Sequence, residues 1–359
     1  MFIPDSINEK NQHLVKRIAQ LILIVSGISY LSVFISPAKF WLAGFIGLAI
    51  PAVFFLNLGL LLYFSLRRSK LLMYPLVALV LGFGFWKNTF SWNGEDNTTS
   101  DLSVLSYNVR VFNVYGHLND NFESSRQMIR WVQEHPADIK CLQEFYNHNE
   151  SDLFNTINAI GDRQNYYHYF QKGSNERFGL AIFSRYPIVN KGLLGADPRK
   201  FNNTIYIDIL IGEDTVRVYN MHLESMSIDE EALVNPDPDN LDKDLQSLGR
   251  KLKNGFKKRA DQVDLLVQHI QECPYPVVLA GDMNDVPYSY SYRCIKKVLS
   301  NAFEKTGNGF GTSYNGKLPF LRIDNQFYSQ SLRATNFMTH DQVPYSDHFP
   351  ITAGYSVSD

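Results

Sequence analysis

The sequence predicts an α/β domain of two sheets packed face to face with helices outside, preceded by a membrane anchor of about three helices. Two observations lead to this prediction. Three long apolar runs fill most of residues 18–90, whereas the rest of the chain alternates strand patterns with helix patterns. Long parts of that second region show no helical pattern, so two packed sheets fit better than a single parallel sheet.

The first 92 residues are predicted to form the anchor. Uncharged runs of 21 and 27 residues occupy 18–38 and 40–66, and a helix needs about 20 apolar residues to cross a bilayer. A third run, 71–86, has 16 residues, and uncharged polar and aromatic residues extend it to about 90. A cleaved signal peptide is the alternative for the first run, and a buried helical bundle for all three. The length and close succession of the runs favour membrane helices.

Lysine and arginine set the predicted orientation. Three basic residues precede the first span and three lie in the loop 67–70, whereas Lys39 alone separates the first two spans. The positive-inside rule places the N-terminus and the loop 67–70 in the cytoplasm. The expected protein is therefore an integral, multi-pass membrane protein with an anchor at 1–92, a polar linker at 93–100 and an extracytoplasmic soluble domain at 101–359.

The charge of the soluble part limits its partners. Residues 1–100 carry 8 basic and 4 acidic side chains, which leaves 26 and 32 of the chain's 34 and 36 for residues 101–359, a net of −6. Strong duplex binding requires lysine and arginine against phosphate, so global attraction to nucleic acid is not expected. The basic stretch 250–259, RKLKNGFKKR, is interpreted as a solvated loop and helix start rather than a substrate patch.

After the linker, strand and helix patterns follow one another along the chain. The predicted strands are 102–112, 137–145, 166–170, 180–184, 204–211, 214–225, 276–282, 322–329 and 349–356. The predicted helices are 121–135, 151–160 with Ser151 at its start, and 259–272. The segment 228–244, rich in Asp, Pro and Asn, is predicted to be an insertion loop.

The three cysteines suggest no zinc site, because they form no CxxC motif and no cluster with histidine. Cys141 lies inside an apolar strand pattern and is expected to be a small core residue. An extracytoplasmic domain is compatible with a bridge between Cys273 and Cys294, and the sequence leaves both the bridged and the free state open.

Polar side chains recur where predicted strands end. The clearest case is VVLAGDMND, in which an apolar strand ends at Gly281 and is followed by acidic and amide residues. Gly, Asp and Asn are common turn formers, so each such residue alone is explained by a turn or a local hydrogen bond. Together they supply carboxylates, amides and two imidazoles, the groups needed for metal-assisted attack on a phosphate ester. The set is Asn108, Glu144, His222, Asp282, Asn284, Asp324, Asp347 and His348.

Six ordered motifs, LSYNV, LQE, NMHL, GDMN, RIDN and SDHFPI, resemble those of the endonuclease/exonuclease/phosphatase superfamily. The resemblance covers roughly residues 101–357, and GDMN and SDHFPI are its most specific parts. It implies a deoxyribonuclease-I-like fold, a four-layer α/β/β/α sandwich. The motif RIDN departs from the family at Asn325, where an aromatic or apolar residue is frequent, but Asp324 is retained.

The resemblance also implies a metal site. Glu144 corresponds to the main metal ligand, with Asn108 beside it, and Asp347 lies near the metal or near a second metal site. Mg²⁺ or Mn²⁺ is the implied ion, since Mg²⁺ takes few carboxylates and keeps water and substrate phosphate oxygens as ligands.

The remaining motif residues correspond to catalytic positions. Asp282 would orient or deprotonate the attacking water, and Asn284 would donate to a phosphoryl oxygen as charge develops. His348 would contact the phosphate while Asp324 holds its ring, and His222 would act on the leaving group or the phosphate. Met283 is expected to point into the core, and Asp285 is assigned to the turn.

The implied reaction is hydrolysis of a phosphodiester by in-line attack of water, and the substrate stays open. A histidine at position 222 is typical of the deoxyribonuclease, sphingomyelinase, inositol-phosphatase and deadenylase branches of the superfamily. A membrane-anchored nuclease or nucleotide phosphodiesterase is the first interpretation. A lipid or phosphoinositide phosphoesterase is the second, because the anchor holds the domain at a bilayer. A catalytically silent scaffold is the third, although no motif residue is missing.

Overall fold

The computed structural model describes residues 5–93, 99–116, 118–174, 176–195, 197, 200–226, 241–318 and 320–357. Its helices are α1 Asp5–Ser32, α2 Leu42–Leu48, α3 Ile50–Leu66, α4 Met73–Thr89, α5 Glu123–Glu134, α6 Thr156–Ile160, α7 Leu241–Gln271, α8 Tyr290–Lys296 and α9 Ala302–Thr306. Its strands are β1 Ser91–Trp92, β2 Leu102–Asn108, β3 Ile139–Tyr146, β4 Tyr167–Lys172, β5 Phe178–Ser184, β6 Ile188–Leu194, β7 Thr204–Ile211, β8 Asp214–His222, β9 Val277–Asp282, β10 Ser300–Asn301, β11 Asn308–Gly309, β12 Asp324–Tyr328, β13 Leu332–Thr339 and β14 Ile351–Val357.

Three N-terminal segments are long and apolar enough to cross a membrane: Gln12–Ser32, Leu42–Leu66 and Lys70–Thr89, with 21, 25 and 20 residues. This confirms the prediction of about three N-terminal helices that are long and apolar enough to span a membrane. The first ends six residues earlier than the apolar run, because 33–38 forms a turn before α2. The second joins α2 and α3 through Ala49, whose backbone is itself helical. Large apolar side chains such as Leu21, Leu62 and Val80 are exposed on these helices.

Two six-stranded sheets form the rest of the molecule. The first has the order β13-β14-β2-β3-β5-β4 and the second the order β10-β12-β9-β8-β7-β6. β2 and β3 are parallel, as are β8 and β9, while the other pairs are antiparallel. Each parallel pair requires a crossover, which α5 supplies in the first sheet and α7 in the second.

The layers follow from where apolar side chains are buried. Aliphatic residues of both sheets, among them Val104 and Val218, form the core between the sheets. Val132 of α5 packs on the outer face of the first sheet, and Leu266 of α7 packs on that of the second. The result is the predicted four-layer α/β/β/α sandwich, in which strands are buried on both faces and read as nearly continuous apolar runs.

Several predicted bounds are wrong. The first strand ends at Asn108 rather than 112, because Val111 and Phe112 adopt left-handed φ values of 50° and 52°. α6 begins at Thr156 instead of Ser151. α7 begins at Leu241, so the basic stretch 250–259 lies inside a helix and not in a loop. The predicted insertion loop 228–244 falls mostly outside the described residues, and its last four residues belong to α7.

The N-terminal helices contact the sandwich along one of their ends. The Asn88 side chain donates to the Pro287 carbonyl at 3.3 Å and accepts from Lys296 Nζ at 2.8 Å. Phe45 packs edge-on against Phe256 of α7, with ring centroids 5.3 Å apart. β1, directly after α4, pairs with β11. The end of α1, the whole of α2 and the end of α4 therefore lie beside the sandwich, and the loop 67–70 lies at the opposite ends of the helices.

Candidate active site

The polar strand ends meet at one edge of the sandwich. Asn108 ends β2 beside its parallel partner β3, which carries Glu144. In the second sheet His222 ends β8 directly opposite Asp282, the last residue of β9. Asp324 begins β12 and is paired with Asp282 on the other side. Because parallel strands end at the same edge, the topology gathers side chains that are up to 216 positions apart in the printed sequence.

Backbone irregularities aim two of these side chains. Glu144 has a φ of 48° and lies where the β3–β5 register shifts between Leu142 and Phe145. Such a bulge turns one side chain out of the regular alternation, and Glu144 is indeed the one partly exposed residue of β3. Gly281 has a φ of 139°, and a Cβ there would lie 2.0 Å from the Met221 carbonyl oxygen. Only glycine therefore fits this position.

Asp282 is the centre of the cluster. Its side chain is 1% exposed. The Asn284 backbone N–H donates to Oδ1 at 2.7 Å, and the Asn284 and Asn108 amides each donate to Oδ2 at 3.2 Å. The Nε2 atoms of His222 and His348 lie 3.7 and 3.8 Å from Oδ2. Four of the other predicted residues thus converge on this buried carboxylate.

The carboxyl of Asp282 is held in an environment that changes its acidity. Burial raises its pKa, and the nearby Asp324 carboxylate raises it further, while His348, His222 and the Asn284 N–H act in the opposite direction. The net direction is upward. A carboxylate with a raised pKa is a better proton acceptor than a solvated one.

His348 and Asp324 form a second buried pair. His348 Nδ1 lies 2.8 Å from Asp324 Oδ2. Burial lowers the pKa of His348, but the carboxylates of Asp324 and Asp282 and the hydrogen bond to Asp324 outweigh it and raise the pKa to about 10. Ser313 Oγ accepts from the Asp324 N–H at 2.9 Å and fixes the start of β12. The imidazole is therefore cationic at neutral pH, with Nε2 turned toward Asp282.

His222 is oriented differently. Its Nδ1 lies 3.3 Å from the Phe201 carbonyl oxygen, so a backbone group and not a carboxylate sets its ring. Its Nε2 is 3.7 Å from both Glu144 Oε1 and Asp282 Oδ2 and has no hydrogen-bond partner within the described residues. A buried ring nitrogen without a partner, aimed between two carboxylates, is suited to a group of the substrate.

The side of the cluster formed by the first sheet is open. The Glu144 side chain is 36% exposed and accepts from the Asn108 amide at 3.3 Å. The Asp347 side chain is 30% exposed and pairs with Arg110 Nε at 3.3 Å. Ser346 Oγ donates to the Asn108 carbonyl at 2.8 Å and to Asp347 Oδ1 at 3.2 Å, which joins the loop before β14 to the end of β2. These carboxylates are accessible to ions from solvent.

Two donor sets in this cluster differ in how well they fit a divalent cation. Asp282, Asp324 and His348 bring one possible ligand atom each within 4.8 Å of one another. However, an imidazole must be neutral to bind a metal, and the raised pKa of His348 opposes this. Glu144 supplies an accessible carboxylate oxygen, which suits Mg²⁺ better. The Asn108 amide oxygen accepts from the Arg110 N–H at 3.1 Å, so a ligand role for Asn108 requires its amide to turn over.

Asp285 has a larger structural role than the predicted turn. It is 6% exposed and accepts from Arg259 Nε at 3.2 Å and from Ser291 Oγ at 2.8 Å. Arg259 is fully buried and also donates to the Glu224 carbonyl at 3.0 Å, two residues after His222. This pair connects the segments that follow β8 and β9. The sequence prediction missed it because Arg259 ends a run of basic residues that resembles a solvated surface.

Comparison with known proteins identifies the fold and the family. The sequence profile of the Endonuclease/Exonuclease/phosphatase family matches residues 105–348. The chain belongs to this family. Residues 12–89 match a second profile, a domain of unknown function designated DUF8431. No curated protein matches the chain.

Solved structures of this family share its fold with the chain. A family member from Bacteroides thetaiotaomicron is 21% identical, with a TM-score of 0.53 over 73% of this chain and 99% of that one. A member from Bacteroides vulgatus is 15% identical, with a TM-score of 0.53 over 73% and 100%. A mannosyl-6-phosphatase from Bacteroides thetaiotaomicron is 19% identical, with a TM-score of 0.52 over 71% and 99%. At these identities the likeness concerns the fold alone, the fold of a phosphoesterase family.

Proposed function

We propose that the protein is a divalent-metal-dependent phosphoesterase that hydrolyses phosphodiester bonds by in-line attack of water, with nucleic acid or a nucleotide as the favoured substrate. It is divided into a membrane anchor at 1–92, a linker at 93–100 and a catalytic domain at 101–359. The observation that carries the proposal is the buried Asp282 carboxylate, within 3.8 Å of two amides and two imidazoles.

Asp282 acts on the attacking water. Its oxygens are fixed by the Asn284 N–H and by two side-chain amides, so its direction is set before substrate binds. Its raised pKa favours acceptance of the proton that water loses as it attacks phosphorus. Asn284 lies two residues further on, and its amide donates to Asp282 Oδ2 at 3.2 Å and to the Leu223 carbonyl at 3.0 Å, so it would have to release one of these acceptors to donate to a phosphoryl oxygen.

The two histidines bind the phosphoryl group and the leaving oxygen. His348 is cationic at neutral pH because of Asp324 and Asp282, so it stabilises negative charge on phosphate. Asp324 is a positioning residue that holds the ring through Nδ1. His222, with its free Nε2, donates a proton to the leaving oxygen.

Glu144 would hold the metal ion, assisted by Asn108 and Asp347. A bound Mg²⁺ or Mn²⁺ supplies positive charge that neutralises the scissile phosphate. The accessible carboxylate of Glu144 at the bulge in β3 supports this assignment. Asp347, partly exposed beside His348, is placed to bind the same ion or a second one.

The protein is proposed to lie in the membrane with its catalytic domain outside the cytoplasm. The three apolar segments are long enough to span it. The loop 67–70, which carries three basic residues, lies at the opposite end of the helices from the sandwich, as the positive-inside rule requires for an extracytoplasmic domain.

A lipid phosphoester is the second candidate substrate, and the position of the site supports it. Two segments adjacent in sequence to proposed catalytic residues contact the N-terminal helices. Tyr288, six residues after Asp282, and Phe320 and Leu321, just before Asp324, line a cavity of about 370 Å³ with α3 and α4. The active-site edge therefore lies at the end of the sandwich that faces the membrane helices.

The test is a substrate panel with the purified full chain in detergent. Single-stranded DNA, plasmid, RNA, a chromogenic phosphodiester, sphingomyelin and phosphoinositides are supplied with Mg²⁺ or Mn²⁺, and each reaction is repeated with EDTA and with Asp282→Asn. Metal-dependent cleavage of nucleic acid is the expected result. Cleavage of lipids only would replace the nuclease interpretation with the lipid one. A folded protein that cleaves nothing and binds no metal would support a silent scaffold.

A further inference from the structure

A groove lies between α1, α4 and the membrane-proximal face of the sandwich, outside the active site. Its volume is about 610 Å³. Its apolar wall is formed by Leu31 of α1, by Phe34 in the turn just after α1, and by Leu81 and Phe85 of α4. Its other end is formed by the segment after β9 and by α8. The groove thus runs from the surface of two membrane-spanning segments to a polar part of the sandwich.

Two glycines keep the groove open. Gly27 of α1 and Gly84 of α4 line it, and a Cβ built on either residue meets no atom within 4 Å. Gly82, two residues from Gly84, differs because a Cβ there would lie 2.6 Å from the Tyr30 side chain. Gly82 therefore serves close packing of α1 on α4, whereas Gly27 and Gly84 border unfilled space. Leaving glycine at open helical positions costs roughly 1 kcal/mol each in helix propensity.

The polar end of the groove carries positive charge. Arg293, Lys296 and Lys297 line it. Lys296 is already paired, with Glu304 at 2.6 Å. The Arg293 guanidinium lies over the Phe34 ring, 3.9 Å from its centroid, and Lys297 is exposed. Arg293 and Lys297 therefore stand where the apolar wall ends, and neither forms an ion pair with a carboxylate among the residues that the structure describes.

We propose that this groove binds an anionic phospholipid of the surrounding bilayer. Its phosphate would lie against Arg293 and Lys297, and an acyl chain would lie over Gly27 and Gly84. Cations beside a membrane span attract anionic headgroups. An apolar wall on membrane helices selects an amphiphile over a free anion. The proposal depends on membrane insertion and not on the catalytic assignments.

The experiment is native mass spectrometry of the full chain in detergent, titrated with phosphatidylglycerol or with phosphatidylcholine. Gly84→Leu fills the groove, and Gly59→Leu is its matched control. Gly59 lies on α3, is also open to its surroundings, and does not line the groove. The proposal predicts that Gly84→Leu lowers retention of phosphatidylglycerol by roughly tenfold or more and that Gly59→Leu leaves it unchanged.

The charge of the groove is tested separately, by variants on the sandwich surface. Arg293→Gln with Lys297→Gln should reduce retention of phosphatidylglycerol by roughly tenfold or more. The matched control is Arg130→Gln with Arg163→Gln, which removes the same charge from exposed sites on α5 and beyond α6. This pair keeps the test valid even where Gly84→Leu fails to fold.

The outcomes separate the groove from nonspecific lipid. Equal retention by wild type and both groove variants would overturn the proposal, as would equal retention of phosphatidylcholine and phosphatidylglycerol by wild type. Loss in both matched controls would show a general lipid annulus and would also overturn it. None of these readouts uses hydrolysis, so failure here is distinct from failure of the proposed function.

Discussion

The two sides of the active site differ in how they are built. Asp282 and Asp324 of the second sheet and His348 of the loop before β14 have side chains that are 1–7% exposed, and His348 lies 2.8 Å from Asp324 Oδ2 and 3.8 Å from Asp282 Oδ2. Glu144 and Asp347, on the side of the first sheet, are 36% and 30% exposed. A buried charge is tolerated only when the protein itself compensates it. This difference supports the proposal that the buried side carries the proton and phosphoryl chemistry and that the open side binds an ion from solution.

The largest expected effect comes from the buried side. Asp282→Asn keeps the size of the side chain but removes its ability to accept a proton, so kcat should fall by about 10³-fold. Steady-state hydrolysis of a chromogenic phosphodiester measures this, with circular dichroism to confirm folding. Asp261→Asn, at an exposed position of α7, is the control and should retain full activity. Normal turnover by folded Asp282→Asn would remove this residue from the mechanism.

A substitution on the open side should lower activity in a way that added Mg²⁺ reverses. Glu144→Gln removes a charged ligand and should lower the affinity for Mg²⁺ by about 100-fold. Loss of even an indirect partner of a metal ligand lowers metal affinity by about 10–100-fold. Raising the Mg²⁺ concentration should then restore activity to Glu144→Gln but not to Asp282→Asn. The comparison between the two sides would be broken by identical Mg²⁺ titration curves for Glu144→Gln and wild type.

The pH dependence of kcat/KM should reflect the buried pair of His348 and Asp324. In wild type the pKa of His348 is raised to about 10, so the imidazolium persists at neutral pH and is lost as pH rises through that value. Asp324→Asn removes the foremost group that raises this pKa. The alkaline limb of kcat/KM should therefore move to lower pH, with a loss at pH 8 on the order of 10²-fold. A pH–rate profile with an unchanged alkaline limb would exclude His348 as the charged group.

The smallest expected effect concerns Arg110. Its ion pair with Asp347 joins side chains that are 39% and 30% exposed, and such pairs contribute about 0.2–1 kcal/mol. Arg110→Gln should change kcat/KM by less than about fivefold, mainly through KM. A much larger fall in kcat would contradict this and would show that Arg110 takes part in the chemical step.

The sequence allowed prediction of the fold and of the eight polar positions that the structure gathers at one edge. The prediction worked because strands with apolar runs on both faces leave few places for polar residues, and strand ends are those places. The order of the six motifs along the chain supported the same fold. Met283 was also predicted correctly, since it is fully buried in the core.

The features that were missed depend on contacts distant in sequence. The Phe201 carbonyl that orients His222 is a backbone group with no sequence signal. Arg259 is buried by its pairing with Asp285, and the surrounding basic residues hid this. The same charges obscured the first half of α7, where Phe256 is buried and packs against Phe45 of α2. Cys273 and Cys294 are free thiols. Their spacing in the sequence could not distinguish the free state from a disulfide bridge.

The central claim is that the open side holds the metal and the buried side does not. Isothermal titration of Mn²⁺ into the full chain in detergent tests it directly, with Glu144→Gln and Asp324→Asn measured in parallel. The account predicts that wild type and Asp324→Asn bind Mn²⁺ and that Glu144→Gln loses most of its affinity. Binding that survives in Glu144→Gln but disappears in Asp324→Asn would contradict it and would place the metal among Asp282, Asp324 and His348.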